Sequence, residues 1–110
     1  IADFGISVQS TIETAVHKEK IGTPHWFAPE LINCNEEHYS TSVDIWSFGI
    51  TAIELAHKGA PPYVEMNAND NKDRLFFEIT NNPSPKLDEK YSQSFKDFVG
   101  LCLTKEVNER

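Results

Sequence analysis

The sequence has little of what several protein classes require. It holds two cysteines, Cys34 and Cys102, far apart and without paired spacing, which argues against a disulfide framework or a zinc pattern and favours a reducing, cytoplasmic setting. Lys and Arg number 10 against 17 Asp and Glu, and no basic block could neutralise a row of phosphates, so nucleic acid is not an expected partner. The longest apolar stretch, residues 43–56, is interrupted by polar residues and is shorter than the roughly 20 residues of a membrane span. No membrane span is therefore predicted.

The chain also has little room for a core of its own. Its 110 residues and 12.5 kDa allow one small domain at most, and its hydrophobic fraction is 39%. It begins on Ile1 and stops at Arg110 just after a helix-like stretch. We expect both ends to be cut, so that the chain is a piece of something larger.

Hydrophobic spacing predicts three helices. The first, Thr41 to His57, has a capping-box-like start at Thr41-x-x-Asp44 and apolar residues nearly all round, which predicts a central helix buried on all sides. The second, roughly Ala68 to Ile79, is charged on one side and resembles a surface helix. The third has Ser92 as its N-cap and one apolar face, formed by Phe95, Phe98, Val99 and Cys102. The first 27 residues fit neither helix nor strand spacing, which favours a long functional loop.

Two short motifs bracket that loop. Asp3-Phe4-Gly5 stands at its start and Ala28-Pro29-Glu30 at its end, and the buried-helix motif Asp44-Ile45-Trp46-Ser47-Phe48-Gly49 follows. Asp-Phe-Gly alone is a weak signal, but this order and spacing resemble the second half of a eukaryotic protein kinase domain. The resemblance implies an α+β protein kinase-like fold, of which this chain is the mainly α-helical C-terminal lobe. Residues 3–30 would be the metal-binding turn and activation segment, and residues 31–110 the helical part, truncated at both ends.

Three further motifs resemble one particular group of protein kinases. Gly22-Thr23-Pro24-His25-Trp26-Phe27-Ala28-Pro29-Glu30, Gly49-Ile50-Thr51-Ala52-Ile53-Glu54-Leu55-Ala56 and Pro61-Pro62-Tyr63 are similar to the Sterile-twenty group, particularly its germinal-centre-kinase-like branch. The resemblance implies a serine/threonine protein kinase of intracellular signalling that uses ATP and Mg²⁺. Its partners would be protein substrates with Ser or Thr hydroxyls, together with an upstream kinase or scaffold.

The resemblance also assigns the nucleotide site. Phosphoryl transfer requires a divalent cation held by a hard oxygen ligand, and Asp3 would supply that ligand. Phe4 would pack beside it, and Gly5 would let the backbone take two arrangements. Without the resemblance, Asp3 would be interpreted as an ordinary turn residue.

The substrate slot would be formed by the segment that precedes Ala28-Pro29-Glu30. Thr23 would help to shape it, and Pro24, Trp26 and Phe27 would form its apolar floor and wall. The alternative for Thr23 is a simple hydroxyl in a Gly-Thr-Pro turn. The alternative for Trp26 and Phe27 is that both are ordinary core residues, and for these two the sequence supports the slot and the core equally.

Three residues are assigned structural roles. The family pairs the Ala-Pro-Glu carboxylate with a distant Arg, here Glu30 and Arg110, in a buried bidentate pair that would lock two segments together. Asp44 would hold the catalytic loop through backbone N–H groups. Its alternative role is that of an acidic residue favoured by the helix dipole.

The loop also carries candidate regulatory residues. Glu19 stands where this branch usually has a phosphorylatable Thr, and we hypothesise that its charge partly replaces activating phosphorylation. The alternative, a solvated acidic residue, is at least as well supported. Ser10, Thr11 and Thr14 are further candidate phosphorylation sites.

Other elements of a kinase are not found in these 110 residues. There is no glycine-rich phosphate loop, no strand lysine with its helix glutamate, and no His-Arg-Asp catalytic loop. The catalytic base is therefore expected upstream, and the 110 residues alone are not expected to catalyse. Two alternatives stay open: a catalytically inactive kinase homologue that acts as a scaffold or allosteric partner, and a stand-alone helical interaction module.

Overall fold

The computed structural model describes residues 4, 5, 7, 22–33, 39–66 and 68–110. These residues form four α-helices: α1 (Pro29–Ile32), α2 (Ser42–Ala56), α3 (Lys72–Asn81) and α4 (Gln93–Cys102). Two 3-10 helices, Pro24–Trp26 and Val107–Glu109, stand before α1 and after α4. The described residues contain no extended β-strand, so the expectation of a mainly helical chain is confirmed for them, whereas the α+β architecture stays a prediction.

One core joins the helices. α2 packs against α4 and against the 3-10 helix Pro24–Trp26, while α3 packs against α1 and the same 3-10 helix. The buried apolar residues are Phe27, Ala28, Leu31, Ile32, Trp46, Ile50, Ile53, Leu75, Ile79, Leu87, Val99, Cys102 and Leu103. Because α1 and the 3-10 helix contribute to this core, the segment that carries the predicted slot is part of the folded body.

The start of α2 differs from the predicted capping box. The Thr41 side chain caps no backbone amide, and Thr41 already has helical backbone angles. Ser40 does the capping, since its Oγ accepts a hydrogen bond from the Ser42 amide at 3.3 Å. The capping-box prediction is wrong because the helical turn begins one residue earlier than the Thr41-Asp44 pattern requires.

α2 ends in a Schellman arrangement. Lys58 adopts a positive φ of 60°, and the Gly59 amide donates to the Glu54 carbonyl at 2.8 Å. Gly59, which the sequence marks as the stop, therefore lies one position beyond the left-handed residue. Tyr63 is the other non-glycine residue with positive φ among the described residues, at 61°, and it turns the chain after Pro61 and Pro62.

α2 is buried on one side only, which contradicts the predicted burial on all sides. Its buried positions are Trp46, Gly49, Ile50 and Ile53. Ile45, Phe48 and Leu55 are exposed, Leu55 by 76%. The reason is geometric, because the buried positions follow the i, i+3, i+4, i+7 spacing of a single helical stripe and the described elements cover only that stripe.

Gly49 explains how closely α2 and α4 approach. A Cβ added at this position would lie 2.8 Å from the Cβ of Cys102 and 2.8 Å from Cδ2 of Leu103. Real Cβ atoms do not approach other carbon atoms so closely, so any larger residue would push the helices apart. Close contact of these two helices therefore depends on glycine.

The other two helices follow the sequence more closely. α3 begins at Lys72 rather than near Ala68, because residues 68–71 form a turn. The Ser92 N-cap of α4 is confirmed, since its side chain accepts a hydrogen bond from the Phe95 amide. The apolar face of α4 is confirmed at Val99 and Cys102, whereas Phe98 is 43% exposed and makes an edge-to-face contact with Phe48.

Candidate functional site

The candidate site is built on the segment from Gly22 to Glu30. Gly22 has a φ of 134°, which disfavours any L-residue with a side chain, and a Cβ there would lie 3.0 Å from the ring of Phe27. Thr23 follows in extended conformation with an exposed side chain. Pro24 then starts the 3-10 helix, for which its fixed φ is suited. The backbone thus exposes Thr23 and turns immediately afterwards into the core.

The aromatic residues of this segment behave differently. Phe27 is only 5% exposed and stacks on Phe76 of α3, with ring centroids 5.9 Å apart. Trp26 is partly buried and packs against the edge of the core. The structure therefore places the Phe27 ring in the core, while Trp26 keeps part of its surface in solvent.

Two contacts fix the 3-10 helix Pro24–Trp26 from outside. The Ser47 hydroxyl of α2 lies 2.9 Å from the Trp26 carbonyl and 3.1 Å from that of Val43, so its single proton is shared between two acceptors. On the other side, Nε2 of His25 lies 3.2 Å from the Tyr63 carbonyl oxygen and 3.0 Å from that of Met66. The segment is thus held by α2 and by the loop that follows α2.

The structure brings Glu30 and Arg110 together across 80 positions of sequence. The Arg110 guanidinium donates to Oε1 of Glu30, and its other terminal nitrogen donates to the Thr104 carbonyl at 3.0 Å. The guanidinium carbon lies 5.4 Å from the centre of the Trp46 ring, a cation–π geometry. The pair thus joins α1 to the end of the described chain.

This pair is strongly desolvated. The Arg110 side chain is 0% exposed and that of Glu30 is 18% exposed. Among the described residues, Oε2 of Glu30, Nε of Arg110 and Nε1 of Trp46 have no hydrogen-bond partner, so the pair has one contact and not the expected bidentate geometry. Burial lowers the pKa of the Arg110 guanidinium. The Glu30 carboxylate therefore supplies the negative charge that compensates the buried Arg110 guanidinium.

A smaller contact joins the end of α3 to the segment after α4. Nζ of Lys105 donates to the carbonyls of Thr80 at 2.8 Å and Asn82 at 2.5 Å. A cation at a helix C-terminus is favoured by the helix dipole. Burial lowers the pKa of Lys105.

Of the predicted nucleotide-site and regulatory residues, the structure describes only Phe4 and Gly5. Phe4 and Gly5 are both exposed, Phe4 by 67%, and the Ser7 amide donates to the Phe4 carbonyl at 3.0 Å in a turn. The expected packing of Phe4 beside Asp3 stays a prediction, because Asp3 lies outside the described residues. The remaining predicted residues, Asp3, Ser10, Thr11, Thr14 and Glu19, lie outside the described residues.

Asp44 lies in the first turn of α2 with an exposed side chain, and no described residue hydrogen-bonds its carboxylate. This position is the favourable one for an acidic residue at a helix N-terminus.

A surface pocket of about 350 Å³ lies between the loop at Pro85 and α4, but none of the predicted site residues lines it. Within the described ranges there is no group of three His, Cys, Asp or Glu side chains arranged to hold a metal ion. None of the helices in that part of the chain has the length and apolarity of a membrane-spanning segment.

The family model described as protein kinase domain matches residues 1–110, the whole chain. The chain belongs to the protein kinase domain family. The ion pair between Glu30 and Arg110 thus lies within a protein kinase domain.

The similar proteins include kinases of the Sterile-twenty family, several of which are named serine/threonine-protein kinases. The chain is 42% identical over its full length to serine/threonine-protein kinase sid1 of Schizosaccharomyces pombe, covering 22% of that protein, and 45% identical to serine/threonine-protein kinase cst-1 of Caenorhabditis elegans, covering 21%. Misshapen-like kinase 1 of Rattus norvegicus is 44% identical over 96% of the chain, which covers 8% of that protein. The chain thus spans about a fifth or less of the length of these relatives.

Sequence reasoning missed part of this site. From the sequence, His25 is named only as a member of the Gly22 to Glu30 motif and is assigned no role of its own. Its two acceptors lie 38 and 41 positions away, a separation that no local pattern reveals. Ser47 is part of a quoted motif, yet its contact with Trp26 depends on how α2 packs. Histidine between Pro24 and Trp26 was the only signal in the sequence that could have suggested a polar contact here.

Proposed function

We propose that the protein that contains these residues is a serine/threonine protein kinase, which transfers the γ-phosphoryl group of ATP to Ser and Thr hydroxyls of protein substrates. The observation that carries the proposal is the buried ion pair between Glu30 and Arg110, which links the end of the loop segment to the helical body. The motifs Asp3-Phe4-Gly5 and Gly22-Thr23-Pro24 support the same activity at the level of sequence. The serine/threonine kinases among the relatives support the same activity.

Asp3 is proposed as the ligand of Mg²⁺. A carboxylate is the hard oxygen donor that this cation prefers, and the position directly before Phe4 and Gly5 is the one that the family uses. When bound, Mg²⁺ would neutralise charge on the nucleotide phosphates. Phe4 and Gly5 would border the nucleotide, and Gly5 would give the turn its freedom to change conformation.

Thr23 and Pro24 are proposed to line the slot for the residue that follows the target hydroxyl, with Trp26 at its edge. Support comes from the exposure of Thr23 and from the two outside contacts that hold Pro24–Trp26 in place. Phe27 would act from the core, where its ring supports the segment from below. A rigid slot suits positioning of the substrate, since phosphoryl transfer is catalysed largely by positioning and electrostatics.

The finer assignments follow the resemblance. We propose membership of the germinal-centre-kinase-like branch, the C-terminal-lobe position of this chain, an intracellular signalling role, and control by an upstream kinase or scaffold. Ser10, Thr11 and Thr14 are the proposed phosphorylation sites, and Glu19 would supply one permanent negative charge where a phosphate would supply nearly two. Asp44 is proposed to hold the catalytic loop. If unphosphorylated enzyme is inactive and phosphatase abolishes turnover of the active form, Glu19 has no such role.

The experiment uses the purified protein that carries this chain, with ATP, Mg²⁺ and three peptides that differ only in Ser, Thr or Tyr at the target position. We expect phosphorylation of the Ser and Thr peptides, and loss of at least about a thousandfold in rate for Asp3→Asn, because the cation loses its carboxylate. Asp73→Asn is the matched control, since Asp73 is an exposed residue in the first turn of α3, and it should keep wild-type activity.

Two results would contradict the proposal. Phosphorylation of the Tyr peptide alone would refute the substrate class. A folded wild-type protein without any phosphoryl transfer would instead favour the inactive homologue that acts as a scaffold.

A further inference from the structure

In the segment from Gly22 to Glu30, called the slot segment below, the His25 side chain contacts the loop that follows α2. Nε2 of His25 lies within hydrogen-bond distance of two backbone carbonyls, those of Tyr63 and Met66. Carbonyl oxygens can only accept, so Nε2 must carry a proton and donate to both. These contacts fix the tautomer and the orientation of the ring.

The segment needs such outside contacts. The 3-10 helix Pro24–Trp26 has three residues, and its own backbone hydrogen bonds are those from the Trp26 amide to Thr23 and from the Phe27 amide to Pro24. So short a helix is not stable by itself and takes its position from its surroundings. Ser47 holds its C-terminal end, and His25 holds its middle.

The acceptor loop is itself held in an unusual conformation. Tyr63 has a φ of 61°, a region that residues with a Cβ seldom occupy, and such a conformation persists only where the surroundings enforce it. The donation from His25 to the Tyr63 carbonyl is one such restraint. Burial raises the pKa of the Tyr63 hydroxyl, and the nearby carboxylates of Glu78 and Glu65 raise it further. The loop thus presents its carbonyls to His25 from a restrained turn.

We propose that His25 is a positioning residue for the protein substrate. By donating to the carbonyls of Tyr63 and Met66 it sets the position of Thr23 and Pro24, and thereby the fit of the substrate residue that follows the target hydroxyl. This role rests on the proposed kinase function. It differs from a general structural role because it concerns the peptide side of the reaction and leaves the nucleotide side unchanged.

The test compares His25→Phe, which keeps a ring but has no donor, with His25→Gln, whose amide can donate to a carbonyl. In the complete protein, we expect His25→Phe to raise KM for the peptide about three- to tenfold, the factor that corresponds to one lost hydrogen bond. KM for ATP should stay unchanged. Selectivity among peptides that differ only in the residue after the target hydroxyl should fall by a similar factor, and His25→Gln should restore a large part of both.

His57→Phe is the matched control. His57 is a partly buried histidine at the end of α2, 3.8 Å from an Asp88 carboxylate oxygen and close to the Tyr91 ring, and both of these neighbours lie outside the slot segment. The His57→Phe variant should leave the KM values for ATP and for the peptide unchanged. Thermal unfolding of each variant verifies folding, and His25→Asn, whose amide is too short to reach both carbonyls, replaces His25→Phe if the latter does not fold.

The outcomes separate the two proposals. An active wild type whose His25→Phe variant keeps the same peptide KM and selectivity overturns the positioning role and leaves the kinase function standing. Equal changes in the KM values for ATP and peptide, without rescue by His25→Gln, also overturn it, because they indicate a general loss of structure. A folded wild type without phosphoryl transfer refutes the kinase function, and the positioning role with it.

Discussion

Replacing Arg110 with methionine removes the cation that pairs with Glu30 and leaves an unbranched side chain in the same buried space. The Glu30 carboxylate, 18% exposed, would then have no cation beside it. Removing one partner of a buried ion pair costs about 3–5 kcal/mol, since the remaining charge stays desolvated without compensation. We expect a loss of that size in the free energy of unfolding for Arg110→Met, and a similar loss for Glu30→Gln.

The double variant separates the two contributions. With Glu30→Gln and Arg110→Met combined, no unpaired charge is left in the interior, and replacement of a whole buried pair is often nearly neutral. The loss in the double variant should therefore be smaller than either single loss, and far smaller than their sum. Arg110→Lys should lie between wild type and Arg110→Met, because the charge stays while the planar geometry that also reaches the Thr104 carbonyl is lost.

Urea unfolding at pH 7, followed by tryptophan fluorescence, measures these losses. Trp46 is a suitable probe because its ring lies beside the Arg110 guanidinium. Lys90→Met is the control, since Lys90 pairs with Asp88 at 3.2 Å on the surface, and this substitution should change the unfolding midpoint little. A loss below about 1 kcal/mol for Arg110→Met, or strictly additive losses in the double variant, would refute the reasoning.

Three further predictions concern single positions. Gly22→Ala should destabilise the fold by about 1–3 kcal/mol in urea unfolding, because the φ at position 22 is unfavourable for alanine and the added Cβ would press on the Phe27 ring. Gly100→Ala is the control: position 100 lies on α4 next to open space, so this substitution should stabilise the fold by about 0.5–1 kcal/mol. Ser92→Ala should cost about 1 kcal/mol by the same assay through loss of the N-cap, and equal stability of both proteins would exclude the cap. Burial raises the pKa of the Cys102 thiol, so its contribution to stability should be complete below the unfolded thiol pKa of about 8.5 and fall as pH rises above it. In a Cys34→Ser background, iodoacetamide at pH 8 should modify Cys102 only in denaturant, and rapid modification of the folded protein would contradict its burial.

Much of the helical organisation could be predicted from spacing. The apolar residues of α4 and the N-cap at Ser92 are local features, since a helix brings residues three and four positions apart onto one face whatever its surroundings. The same local reasoning gave the wrong result for α2, where Phe48 and Leu55 are apolar yet exposed. Apolar character shows that burial is favourable, but only the neighbouring elements decide which faces are covered.

The candidate site divides in the same way. The order of Asp3-Phe4-Gly5 and Ala28-Pro29-Glu30 along the chain was enough to indicate a protein kinase, and the family match over residues 1–110 agrees. Whether Trp26 and Phe27 belong to the slot or to the core was undecided from the sequence. The structure shows that the Phe27 ring packs against Phe76, a contact that the sequence could not reveal because the partner lies nearly 50 positions away.

The sequence by itself determined the protein kinase family and the order of its motifs. Only the tertiary structure decided that Arg110 is fully buried with a single contact to Glu30, and that His25 donates to carbonyls 38 and 41 positions away. The physical reason is that helix propensity and capping act within a few residues, whereas desolvation and hydrogen bonding between distant segments depend on how the helices pack.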